Sequence, residues 1–286
     1  MASMRDIKRR KSSIQSTQQI TKAMKLVSTV KLQRAKTRAE QSKSYFKCMY
    51  DTVTSILAKA GTIDHPYLKA GESGKKAVIV ITSNRGLAGG YNSNVVKLVT
   101  KGELKKDDVA IYALGRKGKD TFARYGYDIR LENDEIVENP SYSDAMKLSQ
   151  TLLDAYAAGE ISEIYLAYTA FKNTVVHEPT LLKLLPVELE QNENEEQREP
   201  GTPMNFEPED EEALNMIIPK YVTSLIFGGL VEAVASENGA RMQAMDSATS
   251  NAEDMISHLS LQYNRARQGS ITQELTEIIA GANAIN

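Results

Sequence analysis

The stretch Met242-Gln-Ala-Met-Asp-Ser-Ala-Thr-Ser-Asn-Ala-Glu-Asp-Met-Ile-Ser-His-Leu259, near the end of the chain, decides the fold. Its apolar and small residues recur at every third or fourth position, which is the period of a helix that buries one narrow face in a coiled coil. The sequence therefore predicts a long helix. Its expected seam consists of Met242, Met245, Ala248, Ala252, Met255, Leu259, Tyr263 and Ala266.

The opening of the chain shows the same spacing. Ile7 and Ile14 lie one heptad apart, and the expected seam continues through Ile20, Met24 and Val27. No proline occurs before Pro66 or after Pro219, and a proline inside a helix costs about 3 kcal/mol. Two long helices at opposite ends of a sequence pair most simply with each other. We expect residues 1–60 and 209–286 to form an antiparallel coiled-coil rod, with the central domain at its base.

The middle of the chain alternates between short apolar runs and helical patterns. Such alternation predicts a Rossmann-like α/β domain over residues 75–188, with a parallel sheet and an antiparallel edge. The expected strands are 77–82, 109–113, 127–131, 161–171 and 174–185, the last two joined by a hairpin at Lys172-Asn173. A turn is expected at 83–92, followed by a helix through Val99, and further helices are expected at 117–124 and 144–158. Residues 189–208 are acidic and contain three prolines, so we expect a loop there.

Composition narrows the possible functions. Only 6% of the 286 residues are aromatic and none is Trp, which suits helices packed through Ile, Met and Ala better than one large globular core. The single Cys48 excludes an internal disulfide, and the three histidines lack metal-ligand spacing. We find neither a signal peptide nor an apolar run of the roughly 18 residues that span a bilayer. The sequence predicts a soluble, intracellular protein.

Charge is separated along the chain. Residues 5–47 hold thirteen Lys or Arg against Asp6 and Glu40, whereas residues 188–212 hold eleven acidic residues against Arg198. The basic stretch could be a solvated helix face, or a site for nucleic acid or anionic lipid. Aromatic residues for base stacking are missing between Arg5 and Arg38. We therefore favour an acidic protein partner.

Two glycine motifs resemble nucleotide sites and fail on spacing. Arg85-Gly-Leu-Ala-Gly-Gly90 follows a strand and precedes a helix, but the dinucleotide fingerprint requires G-x-G-x-x-G. In Gly115-Arg-Lys-Gly-Lys-Asp120 the phosphate-loop pattern fails at Ala113 and Asp120. A tight strand-to-helix turn explains the first motif, and no catalytic constellation stands out from the sequence.

Four stretches resemble the gamma subunit family of F-type rotary ATP synthases, in its bacterial form. They are Arg5-Asp-Ile-Lys8 with Ser16-Thr-Gln-Gln-Ile-Thr-Lys-Ala-Met-Lys-Leu-Val27, Ser83-Asn-Arg-Gly-Leu-Ala-Gly-Gly-Tyr-Asn92, Ala240-Arg-Met-Gln-Ala-Met-Asp-Ser-Ala-Thr-Ser-Asn-Ala252, and Tyr263-Asn-Arg-Ala-Arg-Gln-Gly-Ser-Ile-Thr-Gln-Glu-Leu-Thr-Glu-Ile-Ile279. The sequence departs from the family pattern at Gly239, where Ala or Ser is frequent, and one cysteine cannot form the dithiol of chloroplast relatives.

The resemblance implies a rotor shaft without a catalytic site, cofactor or metal of its own. One copy would stand inside a hexamer of three alpha and three beta subunits, which bind ATP, ADP and Mg. The central domain would contact the epsilon subunit and the membrane-embedded c-ring, at the cytoplasmic face of the bacterial cell membrane. Rotation of the ring, driven by protons or sodium ions, would change the nucleotide affinity of each beta subunit in turn. Nucleic acid is not an expected partner.

The resemblance also implies which residues meet these partners. Arg241, Gln268 and Thr272 match positions that touch beta-subunit loops, and Met24 lies close to them. The apolar residues Ile271, Leu275 and Ile278 would contact the hexamer at the tip of the last helix. A basic face of Lys8, Arg9, Arg10, Lys22 and Lys25 would meet acidic loops of the hexamer. Arg85, Gly89 and Gly90 would contribute to the base, against the ring or the epsilon subunit.

If both helices leave the central domain at the same level, residues whose numbers sum to about 268 should lie side by side. Met24 should then lie beside Ala244, and the last twenty or so residues should lack a partner helix. Two other classes remain open at this point. One is a Rossmann-like nucleotide-dependent enzyme with a coiled-coil dimerisation arm, and the other is a coiled coil that binds nucleic acid.

Overall fold

The computed structural model of the protein describes residues 4–60, 65–71, 74–187 and 210–285. The elements in chain order are α1 (Met4–Ala60), β1 (Lys75–Ile81), α2 (Tyr91–Thr100), β2 (Val109–Leu114), α3 (Arg116–Arg124), β3 (Asp128–Asn133), α4 (Tyr142–Ala157), β4 (Ile161–Phe171), β5 (His177–Leu185) and α5 (Asp210–Ile285). The expected fold class, α/β with two long antiparallel helices, is confirmed. The acidic loop expected at 189–208 lies outside the described residues.

Contacts divide the chain into two compact units. One, which we call the sheet unit, is Val30–Ala240. The other, the helix-pair unit, consists of Met1–Thr29 together with Arg241–Asn286. Both α1 and α5 therefore contribute residues to each unit.

The sheet has the strand order β3-β2-β1-β4-β5. The pairs β1–β2, β2–β3 and β1–β4 are parallel, and β5 pairs antiparallel with β4 at one edge. A central strand with successive parallel neighbours on both sides is the arrangement of a doubly wound sheet. The predicted parallel sheet with an antiparallel edge is confirmed.

Alternate residues of the central strands point into two separate cores, because successive side chains of a strand lie on opposite faces. Val78, Val80 and Ile111 pack with Val95 of α2 and Phe122 of α3 on one face. On the other face the core contains residues of three helices, α1, α4 and α5. Its fully or nearly fully buried members include Val53, Ile79, Ile81, Leu152, Leu166, Leu214, Ile218, Val222, Ile226 and Leu230.

The first half of α5 thus belongs to the core of the sheet unit. Leu214, Ile218, Val222 and Ile226 recur every four residues and are fully buried there. This packing also explains the apolar character of α5, which is long and apolar enough by composition to cross a membrane. Half of its most apolar segment is buried inside the protein. The expectation that the chain contains no such segment was wrong, because it overlooked how apolar a core helix must be.

The β4–β5 hairpin has a longer connection than the sequence suggested. The loop covers residues 172–176, and β5 begins at His177 rather than at residue 174. Asn173 explains the difference, because its side-chain oxygen accepts hydrogen bonds from the backbone N–H groups of Val175 and Val176. These bonds hold both valines in the turn and out of the β ladder.

Candidate interaction surfaces

In the helix-pair unit, α1 and α5 run antiparallel, and three polar side-chain contacts between described residues join them. These are Gln18 Nε2 to Glu253 Oε1 at 3.0 Å, Thr21 Oγ1 to Thr249 Oγ1 at 2.7 Å, and Lys25 Nζ to Asp246 Oδ1 at 2.5 Å. The paired residue numbers sum to 270 or 271. The expected sum of about 268 is therefore correct to within one helical turn, and residues beyond about 267 of α5 have no counterpart among the described residues of α1.

The seam of α1 differs from the prediction. Ile20 and Val27 are 60% and 57% exposed, whereas Thr21 and Ser28 are buried. Within this unit the buried residues of α1 are Ile7, Thr21 and Ser28, seven or fourteen positions apart, with the half-buried Ile14 between them. Polar residues are tolerated there because the hydroxyl of Thr21 bonds to that of Thr249 across the pair. On α5, Met255 is 44% exposed and Ile256 is half-buried instead.

Large apolar side chains are consequently exposed on both helices. On α1 they include Ile20, Leu26 and Val27. On the last turns of α5, Ile271, Leu275, Ile278 and Ile279 are between 48% and 68% exposed. Contiguous apolar surface of this kind marks an interaction site in most proteins, so both helices present surfaces that suit a protein partner.

The residues predicted to touch beta-subunit loops lie on the same helices. Met24 and Arg241 are half-buried, and Gln268 and Thr272 are exposed. The Thr272 hydroxyl donates a hydrogen bond to the Gln268 carbonyl at 2.9 Å, so these two residues are neighbours on one helix face. Their exposure is compatible with the predicted contacts, which stay predictions.

The predicted basic face is also accessible. Lys8, Arg9, Arg10 and Lys22 are exposed. Arg9 forms an exposed ion pair with Asp6 at 3.3 Å, and Lys25 pairs with Asp246. Ion pairs of this exposure contribute about 0–1 kcal/mol to stability. The positive charge of the face is therefore not required for folding and is available to a partner.

The glycine turn between β1 and α2 is organised by its own side chains. Asn92 accepts a hydrogen bond from the backbone N–H of Ser83 at 2.9 Å, and the Ser83 hydroxyl donates to the carbonyl of Arg85 at 2.6 Å. Leu87 and Gly89 both have positive φ, 65° and 55°. Glycine adopts this conformation without strain. The side chain of Arg85 and the backbones of Gly89 and Gly90 are exposed on this turn.

The first backbone N–H groups of α3 donate hydrogen bonds to the residues that directly follow β1. The backbone N–H of Arg116 donates to Asn84 Oδ1 at 3.1 Å, that of Lys117 to the Ser83 carbonyl at 3.1 Å, and that of Gly118 to Thr82 Oγ1 at 2.8 Å. Helix N-terminal N–H groups are the donors that bind phosphate in nucleotide enzymes. Here the protein itself uses them.

An ion pair lies beside the N-terminus of α3. Arg116 contacts Asp134 at 2.8 Å, and this hydrogen bond holds the pKa of Asp134 below its usual range, although both groups lie at the surface. The hydrogen bonds of Asn84 and Asp134 were not predicted from the sequence, because their partners lie 18 or more positions away along the chain. Within the described residues, no group of three or more His, Cys, Asp or Glu could hold a metal ion.

Comparison with known proteins agrees with the sequence motifs. The family model described as ATP synthase matches residues 3–285. The ATP synthase gamma chain of Lachnoclostridium phytofermentans is 67% identical, with 100% of both chains covered. A rotor structure from the Euglena gracilis mitochondrial ATP synthase has a TM-score of 0.66 at 17% identity, covering 94% of this chain and 98% of that one. The central stalk of the Tetrahymena thermophila enzyme has a TM-score of 0.60 at 23% identity, covering 80% and 99%.

The two structural similarities show the fold: a five-stranded α/β sheet combined with two long helices. The sequence similarity goes further, because it extends over the whole chain at high identity. The chain belongs to the ATP synthase gamma chain family, and the family predicted from the motifs is confirmed.

Proposed function

We propose that this chain is the central rotor shaft of a rotary ATP synthase, coupling ion-driven rotation of a membrane ring to ATP synthesis or hydrolysis on partner subunits. Family membership supports the class of complex. The observation that carries the mechanical role is the end of α5, where four large apolar side chains are exposed beyond the last residue that α1 could pair with. An exposed apolar stripe of this kind marks a site of protein contact, as expected of a shaft inside its bearing.

In this proposal the chain performs no chemistry. ATP, ADP and Mg bind to the alpha and beta subunits, three of each, around one copy of the chain. The chain needs no cofactor or metal of its own. The occupied N-terminus of α3 supports this view, because its first N–H groups already bond to Asn84, Ser83 and Thr82.

Each surface then has a partner. Arg241, Gln268 and Thr272 contact beta-subunit loops, with Met24 close by, and the apolar tip turns within the upper part of the hexamer. The basic face meets acidic loops of the hexamer. The turn that contains Arg85, Gly89 and Gly90 contributes to the base, where the epsilon subunit and the c-ring bind. The complex lies at the cytoplasmic face of the bacterial cell membrane, and nucleic acid has no part in it.

Coupling follows from asymmetry. Paired helices present different side chains at each angle around their axis, so a rotating pair offers each beta subunit a changing surface. A contact of this kind shifts a conformational equilibrium only by its difference in free energy between the two conformations. Rotation therefore changes the nucleotide affinity of each beta subunit in turn.

Cysteine cross-linking in the purified complex tests the proposal. In a chain with Cys48→Ser, cysteine in place of Ile278 should cross-link to an alpha or beta subunit. The pair Thr21→Cys and Thr249→Cys, whose native hydroxyl oxygens lie 2.7 Å apart, should cross-link within the chain and serves as the control for register. A cross-link from position 278 to α1 of the same chain, or none to any subunit, would contradict the proposed bearing.

A titration separates the proposal from the enzyme alternative. The isolated chain should bind neither ATP nor NAD in calorimetry. ATP turnover that scales with the concentration of the isolated chain would refute the assignment of chemistry to the partners.

A further inference from the structure

Two glycines of α5 lie where an added methyl group would force a neighbouring side chain to shift. A Cβ atom added to Gly229 would come within 2.7 Å of Leu166 Cδ2, and one added to Gly239 within 2.6 Å of His177 Cε1. By contrast, a Cβ atom at Gly281 would have nothing within 4 Å. Glycine inside a helix is less favourable than alanine. The close approach of Leu166 and His177 gives a physical reason for glycine at both buried positions.

The two intruding side chains come from one hairpin. Leu166 belongs to β4 and is fully buried, while His177 is the first residue of β5. His177 pairs with Phe171 across the hairpin, and their rings lie 5.9 Å apart. The hairpin β4–β5 therefore fills both glycine positions, which we call the notches of α5.

A polar contact lies between the notches. The backbone N–H of Phe171 donates to Glu232 Oε2 at 3.4 Å, which joins the end of β4 to α5. Burial raises the pKa of Glu232, and the Phe171 N–H and the charge of Lys172 oppose this effect in part. Burial, together with the charge of Glu232, raises the pKa of the neighbouring Tyr168 to about 12.

His177 acts in this contact by its shape. Its ring nitrogens are buried and make no hydrogen bond of ordinary geometry to the described residues. Burial lowers the pKa of His177, opposed by the backbone of Thr174. At neutral pH the ring is therefore uncharged and packs as an apolar group against Phe171 and the backbone of α5.

We propose that Leu166 and His177 lock α5 to the sheet, so that the helix can neither slide along its axis nor turn about it. Gly229 and Gly239 are ten residues apart, which places the notches about 15 Å apart along the helix and about 80° apart around it. Contacts at two heights and two angles oppose both motions. His177 is a positioning residue that sets the rotation of α5.

The consequence of the lock for torque transmission rests on the proposed function. In a rotor, α5 must receive torque from the sheet unit without slipping. The notch at Gly239 lies one residue before the end of that unit at Ala240. The lock thus transmits torque to α5 where the helix leaves the unit.

The lock can be tested in the isolated chain with four proteins: wild type, Gly239→Ala, His177→Ala and the double variant. Gly239→Ala should lower the midpoint of thermal unfolding by about 5 °C, because the new methyl group overlaps the imidazole. In the His177→Ala background the same change should raise the midpoint, because the methyl group occupies the vacated space. Gly281→Ala is the matched control and should not lower it. If Gly239→Ala lowers the midpoint equally in both backgrounds, or in neither, there is no lock.

The torque role is tested in complexes purified with each variant, by measuring ATP hydrolysis and ATP-driven ion pumping in vesicles. His177→Ala should reduce the ions pumped per ATP by roughly two-fold or more while hydrolysis continues, and the double variant should recover at least part of that ratio. A ratio that is the same in all four complexes would refute the torque role. If the wild-type complex itself pumps no ions, the proposed rotor function fails, while the result in the isolated chain still decides the lock.

Discussion

Replacement of the buried hydroxyl pair in the helix-pair unit gives a sharp test of how α1 and α5 are held together. Thr21 and Thr249 are 8% and 9% exposed, and their oxygens lie 2.7 Å apart. Each hydroxyl also lies within bonding distance of a carbonyl of its own helix, that of Gln18 for Thr21 and that of Met245 for Thr249. The two hydroxyl protons can therefore make only two of these three hydrogen bonds. When one hydroxyl donates to the other across the pair, the second donates to the carbonyl of its own helix.

We expect each single variant, Thr21→Val or Thr249→Val, to destabilise the pair by about 1 kcal/mol, the net value of one hydrogen bond. The loss is moderate because the remaining hydroxyl keeps its bond to the carbonyl four or three residues earlier. The double variant should be close to wild type, since replacement of both partners by apolar groups of the same shape is nearly neutral. The expected coupling energy is thus about 2 kcal/mol in favour of the matched pairs.

Amide hydrogen exchange in the isolated chain measures this locally. A change of about 1 kcal/mol reduces the protection of amides near residues 21 and 249 by roughly five-fold in each single variant. Protection should return in the double variant. Additive losses in the double variant would show that the two hydroxyls do not interact, and would refute the argument from proton counting.

Three further predictions concern charge and the exposed surfaces. In the sheet unit, burial raises the pKa of Glu163, but hydrogen bonds from Lys76 and Tyr165 and nearby lysine charges outweigh it, so the folded pKa is lowered. The stabilisation by Glu163 should therefore be complete above about pH 4.5 and disappear as the pH falls through the folded pKa. In a profile of stability against pH, Glu163→Gln should flatten the acid side. Ile278→Asp should leave thermal unfolding of the isolated chain unchanged, because the side chain is 68% exposed. In a pull-down with the hexamer, the same variant should assemble about ten-fold more weakly or worse, and unchanged assembly would count against the bearing. The double variant Arg9→Glu and Arg10→Glu should also fold normally but assemble less well, with the defect smaller at high salt, and an assembly yield equal to wild type would remove the basic face from the interface.

The sheet unit was predictable because local pattern and tertiary packing agree there. The run at 161–171 has strand-forming residues on both faces of a central strand, and the structure assigns β4 to the same residues. The strand bounds at β1 and β2 differ by two residues or fewer from the sequence. The hairpin loop was predicted too short because the side chain of Asn173 replaces ladder bonds, an effect that hydrophobic pattern does not contain.

The candidate surfaces were less predictable than the fold. Hydrophobicity placed Ile20 and Val27 in the seam, but the heptad that starts at Ile7 selects Thr21 and Ser28. Only the partner helix explains that choice, because Thr249 supplies the hydrogen bond that a buried Thr21 needs. Apolar residues that are not needed for helix pairing are therefore left outside, where the sequence alone could not distinguish a seam from a docking surface.

The role of Asn84 was likewise invisible in the sequence. Its side chain accepts from the N–H of Arg116 and donates to the carbonyl of Asp134, and these residues lie 32 and 50 positions away along the chain. No local spacing predicts such a contact. It follows from the strand order, which places the loops after β1, β2 and β3 at one edge.

The self-occupied N-terminus of α3 has a consequence for how the protein responds to its surroundings. A ligand that binds only the folded state stabilises it by an amount that grows with ligand concentration. Because the N–H groups of Arg116, Lys117 and Gly118 bond to Asn84, Ser83 and Thr82, the N-terminus of α3 offers ATP no such linkage. The folding equilibrium of the chain should then stay constant as the cellular ratio of ATP to ADP rises and falls, so that the energy state of the cell acts on the motor only through the subunits that turn against it.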